Sequence, residues 1–245
     1  MRTLLLLPLL ALPLCADGLT DLKARLAQLQ GQDPVKGQLG RDLWQQDKDG
    51  KEAPKVVQGS LQLYVESGPQ GLQLQVAPGL LAQARREQAA AAKDPEKEAG
   101  TARVLKGLNP VDLAEGLNAA DGLLRDLAQS TLLEEKADTF EGQPARLLVL
   151  KPEPRLNAQA KKALKSLTAS LKVWVAADGT PLATEEVVDF KASRFLISFE
   201  GTTKKKQRFR RVGNRLVSLL SEEESSNSGF GNVQQKKVVT RFQPA

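Results

Sequence analysis

The sequence predicts an α+β protein: a curved antiparallel sheet of about nine or ten strands with three or four helices packed on one side. Three observations carry that expectation. Apolar residues alternate with polar ones in short stretches between Lys55 and Val76 and again from Asp138 to Phe242. Helical spacing of three and four is confined to the start of the chain, to a middle segment and to one short stretch near residue 160. Tight-turn signals such as Gly68-Pro69 and Asp178-Gly179 separate successive strands, which favours hairpins over parallel crossovers.

Residues 19–30 form the first helix, because Leu19, Leu22, Leu26 and Leu29 make one apolar stripe. Gly31 and Pro34 end it. Residues 35–46 read as extended, up to the turn-prone Asp47-Lys48-Asp49-Gly50. In residues 55–67, Leu61, Leu63 and Val65 share a face; in 71–77, Leu72, Leu74 and Val76 do. The alanine-rich stretch 78–100 begins as a helix, and Lys93 to Gly100 reads as an exposed loop. Asn109-Pro110 is a helix start, cap residue then proline. From there Leu113, Leu117, Ala120, Leu124 and Leu127 continue one stripe, weakened by Gly116 and Gly122 at about 1 kcal/mol each.

One strand is expected in 138–154, with Leu147 and Val149 on its apolar face, and a short helix with a basic face in 157–169. After that the chain is nearly all β. Leu171, Val173 and Val175 alternate with Lys172 and Trp174 up to the Asp178-Gly179 turn, and residues 182–190 return. Residues 193–200 place Phe195, Ile197 and Phe199 on one face. Residues 204–212, 215–223 and 233–242 complete a meander, with 222–232 read as a long, mobile polar loop. No repeat of fixed period and no dividing linker occurs, so one domain is expected over residues 17–245.

The first sixteen residues read as a secretory signal peptide. Arg2 supplies the positive start, Leu4 to Leu14 an apolar run of eleven residues, and Ala16 the cleavage site. The run is too short for a spanning helix, which needs about 20 residues. A rival reading makes Cys15 a lipidated first residue, against which Leu14 is bulky where such signals carry a small side chain. With cleavage after Ala16 the chain keeps 229 residues and no cysteine, which suits a bacterial periplasm. The chain has no histidine, which removes histidine triads, the usual zinc sites and imidazole acid–base chemistry. No phosphate loop, nucleophile elbow or metal-ligand cluster occurs, and no cofactor is implied. Glu134-Glu135 and Glu185-Glu186 are sequence neighbours, and neighbours on a strand point to opposite faces. A carboxylate hydrolase would need two acids facing one cleft, and the sequence identifies no such pair. Residues 17–135 carry 14 Lys+Arg against 18 Asp+Glu, and residues 136–245 carry 20 against 11, so the excess of positive charge is C-terminal.

Four segments resemble LolA-like proteins, a family of bacterial envelope proteins that includes the periplasmic carrier of outer-membrane lipoproteins. LTDLKARLAQL resembles the family's opening helix and VVQGSLQLYV its second strand. FEGQPARLLVLKP resembles an alternating strand of many members, and LKVWVAADGTPL the strand ending in Asp-Gly-x-Pro. The resemblance implies a half-open barrel, non-catalytic, whose concave face is closed by helices and holds acyl chains. The chain departs in having only ten aromatic residues, where the carriers are rich in them on the first strands. It also carries an alanine-rich stretch, read as part of a helical insertion around 79–129.

Two surfaces are candidates for function. The first is the sheet's inner face, with liners Leu61, Leu63, Val65, Leu72, Leu74, Leu147, Val149, Leu171, Val173, Val175, Phe195, Ile197 and Phe199. Each buried CH2 is worth about 0.8 kcal/mol, so an apolar cavity alone suffices for a lipid, lipoprotein or other amphiphile. The competing reading is a core filled by the helices. The second is a basic patch of Lys204, Lys206, Arg208 and Arg210 on one strand face, joined by Arg215, Lys236, Lys237 and Arg241. In an exported protein it would meet anionic lipid head groups; the competing reading is a charged outer face that blocks edge pairing. Nucleic acid is not the expected partner, since no stacking aromatic beyond Phe209 is interleaved. The helical middle reads either as a lid or as plain packing on the sheet. An envelope protein read by the same sheet is the alternative partner.

Overall fold

The computed structural model describes residues 17–94, 96–153, 156–194 and 197–245. The expected signal peptide and Phe195 therefore lie outside the described residues. The chain runs α1 (Gly18–Gln28), β1 (Val35–Asp49), β2 (Lys55–Gly68), β3 (Gly71–Gln75), α2 (Pro78–Lys93), α3 (Gly100–Lys106), α4 (Pro110–Gly116) and α5 (Ala119–Leu127). It continues β4 (Ser130–Phe140), β5 (Gln143–Pro152), α6 (Ala158–Ala163), β6 (Leu164–Val175), β7 (Pro181–Arg194), β8 (Ile197–Val212), β9 (Arg215–Gly229) and β10 (Asn232–Pro244). All ten strands join one antiparallel open sheet, in the order β3-β2-β1-β10-β9-β8-β7-β6-β5-β4.

Two meanders make this sheet, joined where β1 pairs with β10. The edge strands β3 and β4 adjoin in sequence but lie at opposite ends of the sheet. Residues 76–129 must therefore travel from one edge to the other. They do so as four helices, whose buried side chains Val104, Leu113, Leu117, Leu123 and Leu127 pack on the sheet's inner face. The helical middle is thus a strap across the half-barrel. The start of α3 lies tight on β2: a Cβ on Gly59 would meet the Gly100 carbonyl oxygen at 2.3 Å, and one on Gly100 would meet the Gln58 oxygen at 1.8 Å.

Local chemistry explains most boundaries. Asp17, Asn109 and Asn157 cap α1, α4 and α6 by accepting from Thr20 N, Val111 N and Ala160 N. The single helix expected from 110 onward breaks at Leu117-Asn118 into α4 and α5. The region expected to hold one strand holds two, β4 and β5, joined at the left-handed Glu141-Gly142 turn. Residues 193–200 are not one strand but the end of β7 and the start of β8, paired Arg194 with Ile197. Residues 164–169, read as helix, belong to β6, and the polar stretch 222–229, read as loop, continues β9 between two ladders. The actual turn there is Phe230-Gly231, both left-handed.

Candidate functional site

The inner face of the sheet is apolar at both flanks and polar in the middle. On β2, Leu61, Leu63 and Val65 are buried, and Leu72 and Leu74 on β3 pack against them. Together with Leu39, Leu43, Val104, Leu113, Leu117, Val238 and Phe242 they form one cluster. On β6, Leu171, Val173 and Val175 are buried with Leu148, Leu150, Phe209 and the inner faces of α1 and α5, forming a second cluster. The predicted liners are therefore covered core on both flanks. Leu147 and Val149 stand on the other face of β5: their partners across the ladder are Trp174 and Lys172, whereas Leu148 and Leu150 pair with Val173 and Leu171. The pattern LLVL gives no phase from sequence, because four consecutive apolar residues fit either face. Ile197 and Phe199 lie near the far end of β8 and belong to neither buried cluster; the Phe199 ring meets Phe230 edge-on at 5.3 Å.

Between the two clusters, two polar rows cross the inner face. Glu186 on β7 stands opposite Lys205 on β8, and Lys205 opposite Glu223 on β9. In the next row Thr184, Gln207, Ser221, Thr240 and Arg41 stand side by side on β7, β8, β9, β10 and β1. Above these rows lie α4 and α5. A cavity of about 180 Å3 fills the seam, walled by Leu39, Leu113, Leu117, Leu123, Phe209, Val238 and Phe242 and by Arg41, Asp126, Lys205, Gln207 and Glu223. Gly116 and Gly122 form part of its helical wall.

The charges in this seam are held apart. Among the described residues, Glu186, Lys205, Glu223 and Asp126 make no side-chain hydrogen bond and no ion pair. Arg41 donates to Thr240 Oγ1 and to the Gly107 carbonyl, both at 3.3 Å. Burial lowers the Arg41 pKa, while Glu223 and Asp112 oppose that change. Burial raises the Glu186 carboxyl above the usual carboxylate range, reinforced by Asp126 and Glu223 and opposed by Lys205. Burial also raises Asp126, whose outer side stays exposed. Glu223 from a strand and Asp126 from a helix thus face one cavity, and Glu186 stands beside it, across the ladder from Lys205. Sequence spacing could not find them: Asp126 reaches the seam only because α5 docks there with Leu123 and Leu127 turned toward the second cluster.

The predicted basic patch is not a free positive surface. Lys204 and Lys206 lie on the outer face, each 3.5 Å from Glu185, which also receives Lys172 at 3.5 Å. Their partners across the next ladder are Glu224 and Glu222. Arg208 pairs with Glu141, Lys237 with Glu224 at 2.6 Å, and Arg241 with Asp42. Arg210 is exposed at the end of the row. Arg215 is buried, its guanidinium donating to the Asp33 and Ser67 carbonyls and to Ser67 Oγ. The outer face is a ladder of alternating charge, for which the acids come from neighbouring strands. Among the described residues, no group of three His, Cys, Asp or Glu side chains has metal-binding geometry.

No family model and no curated protein matches the chain. Two solved structures are similar along most of their length. A LolA superfamily protein from Nitrosomonas europaea is 10% identical over 93% of this chain and 94% of its own, with a TM-score of 0.25. MucB, in complex with MucA(peri), is 12% identical over 91% of this chain and 93% of its own, with a TM-score of 0.24. The fold assignment rests on the strand order and register described above.

Proposed function

We propose that the protein is a non-catalytic binder of amphiphiles (a lipid, lipoprotein or similar molecule) in the envelope of a Gram-negative bacterium. It would hold an apolar chain between the sheet and the strap formed by α4 and α5. The observation that carries this reading is the seam: a cavity with apolar walls from two separate core clusters and a polar floor in which Lys205 and Glu223 make no side-chain hydrogen bond or ion pair among the described residues. Partly buried charges without partners cost stability, and binding is a role that compensates for such a cost. At about 180 Å3 the cavity is smaller than the roughly 300–1,000 Å3 of sites for drug-sized ligands, so it admits the end of a chain. A longer chain requires the strap to lift. Helices of seven and nine residues such as α4 and α5 are marginal alone and are held by packing, unlike the continuous ladder beneath them. The expected leader supports export.

The test is calorimetric titration of the neutral amphiphile dodecanol into wild type and Gly122→Leu. A Cβ at Gly122 meets only Arg125 Nη2, at 3.9 Å, so a leucine fits the backbone and fills the seam. Wild type should bind and Gly122→Leu should bind at least about tenfold more weakly, with its unfolding midpoint retained. Equal binding by the two, or none by wild type, contradicts the reading.

A protein-interaction module is a second reading, favoured by β4. This eleven-residue edge strand has one free side and carries Leu133 at 63% exposure. An open groove of about 1090 Å3 runs between it and α1. An extended partner segment would add to such an edge by backbone pairing. This reading replaces the first if dodecanol fails to bind while a partner protein slows exchange of the β4 amides.

A further inference from the structure

We infer that the uncovered end of the inner face is a separate binding site, for a neutral saccharide whose pyranose ring stacks on Phe190 and Phe199; the inference is independent of the amphiphile reading above. Four residues beyond the seam along each strand, Phe190, Gly201, Asn227, Gln234 and Asp47 stand in one row on β7, β8, β9, β10 and β1. In the next row on that face stand Phe199, Gly229, Asn232 and Asp49. The two rings and the polar members of both rows line a cavity of about 560 Å3, inside the range of roughly 300–1,000 Å3 common to small-ligand sites. No residue of the described helices lines it, so the strap that covers the seam leaves this end open.

Two glycines set the rings. A Cβ on Gly201 would meet Phe190 Cε1 at 2.5 Å, and one on Gly229 would meet Phe199 Cδ1 at 2.5 Å. Each ring therefore lies over the backbone of the neighbouring strand, and both are only half-buried. Phe230 extends this aromatic surface. It is 66% exposed, meets Phe199 edge-on at 5.3 Å and holds a φ of 56°, which bulky side chains rarely adopt. Contiguous aromatic area left in water marks a binding surface more than a core. Beside the rings the floor turns to amides and carboxylates. Asn227, Asn232 and Asp49 make no side-chain hydrogen bond or ion pair among the described residues, whereas Asp47 accepts from Gln45 and Gln234. A pyranose has the same division, an apolar C–H face and an edge of hydroxyls that both donate and accept. Amides supply a donor and an acceptor each, and carboxylates accept. Charge favours neither ion: Lys48 and Lys55 stand with Asp49 and Glu52, while Glu200 and Asp47 have Lys191 and Arg103 at 3.6 and 3.9 Å. An acyl chain would cover the rings but desolvate the amides without bonding them.

The test is saturation-transfer NMR on the full chain, irradiating aromatic protons, with the uncharged pyranose chains cellotetraose and chitotetraose as probes. Transfer should reach the ring C–H protons of at least one of them. Its binding should weaken at least about tenfold in Phe199→Leu, which keeps an apolar side chain over Gly229 and loses the aromatic face, and should be retained in Phe199→Tyr. Asn232→Ala, an exposed change with no packing to lose, should also weaken it. Gly122→Leu, which fills the seam, should leave it unchanged and so separates this site from the amphiphile reading. Absence of transfer to both sugars overturns the inference, as does binding unchanged in both Phe199→Leu and Asn232→Ala. Loss of sugar binding in Gly122→Leu overturns it too, as does dodecanol displacing the sugar, because either result would make the two ends of the face one apolar site.

Discussion

Glu185 and Glu186 show how one step along a strand changes a carboxylate's chemistry. Glu185 faces out: partial burial pushes its pKa up, but Lys204, Lys172 and Lys206 outweigh this and hold it below its ordinary value. Glu186 faces the seam, where burial together with Asp126 and Glu223 raises it despite Lys205. The sign of the stability effect follows. A carboxyl raised in the folded state favours folding most where it is protonated, and the folded state loses stability as pH rises through the folded pKa. Glu186→Gln removes that cost. Its melting temperature should exceed wild type at pH 7, and the difference should vanish near pH 4 and below, where wild type is protonated as well. A variant that melts lower at pH 7 would contradict the burial argument. The opposite-face placement of these two residues is legible from strand alternation; the cluster that awaits Glu186 is not. It is assembled from β8, β9 and α5, and only the register and the docking of α5 bring those side chains together. Arg215 was likewise unreadable, because a buried arginine and a surface one share the same local pattern.

Elements were legible where one face is buried and obscure where neither or both are. β2 and β6 show clean alternation because helices cover one side of each. β4 is exposed along nearly its whole length, so no apolar period marks it. The second half of β9 is polar on both faces, yet its backbone is satisfied by β8 on one side and β10 on the other. Ladder pairing rather than composition makes it a strand. The strap was legible as helical but not as four pieces, since its apolar stripe runs unbroken through the Leu117-Asn118 junction where the chain turns. The weakness of α5 is local. Gly122 sits inside it with open space at the Cβ position, so Gly122→Ala should stabilise the protein by about 1 kcal/mol in urea titration. A loss of stability would show that the backbone approaches more closely there than the space around Gly122 indicates.

At the scale of the whole molecule, the architecture sets what the inner face can do. Hairpin-linked strands pair in sequence order, except that β1 and β10 join the two meanders and leave β3 and β4 as distant edges. The strand alternation predicted the sheet, and its count; it contained nothing about this closure, which depends on pairing between residues some two hundred positions apart. Closure is what obliges residues 76–129 to cross the mouth, divides the apolar core in two and leaves the seam between. Native mass spectrometry of the gently purified full chain, with an organic extract analysed in parallel, tests that claim most directly. The expected result is a stoichiometric amphiphile that departs when the strap is unfolded and is absent from Gly122→Leu. A bare protein mass with no lipid in the extract would contradict it.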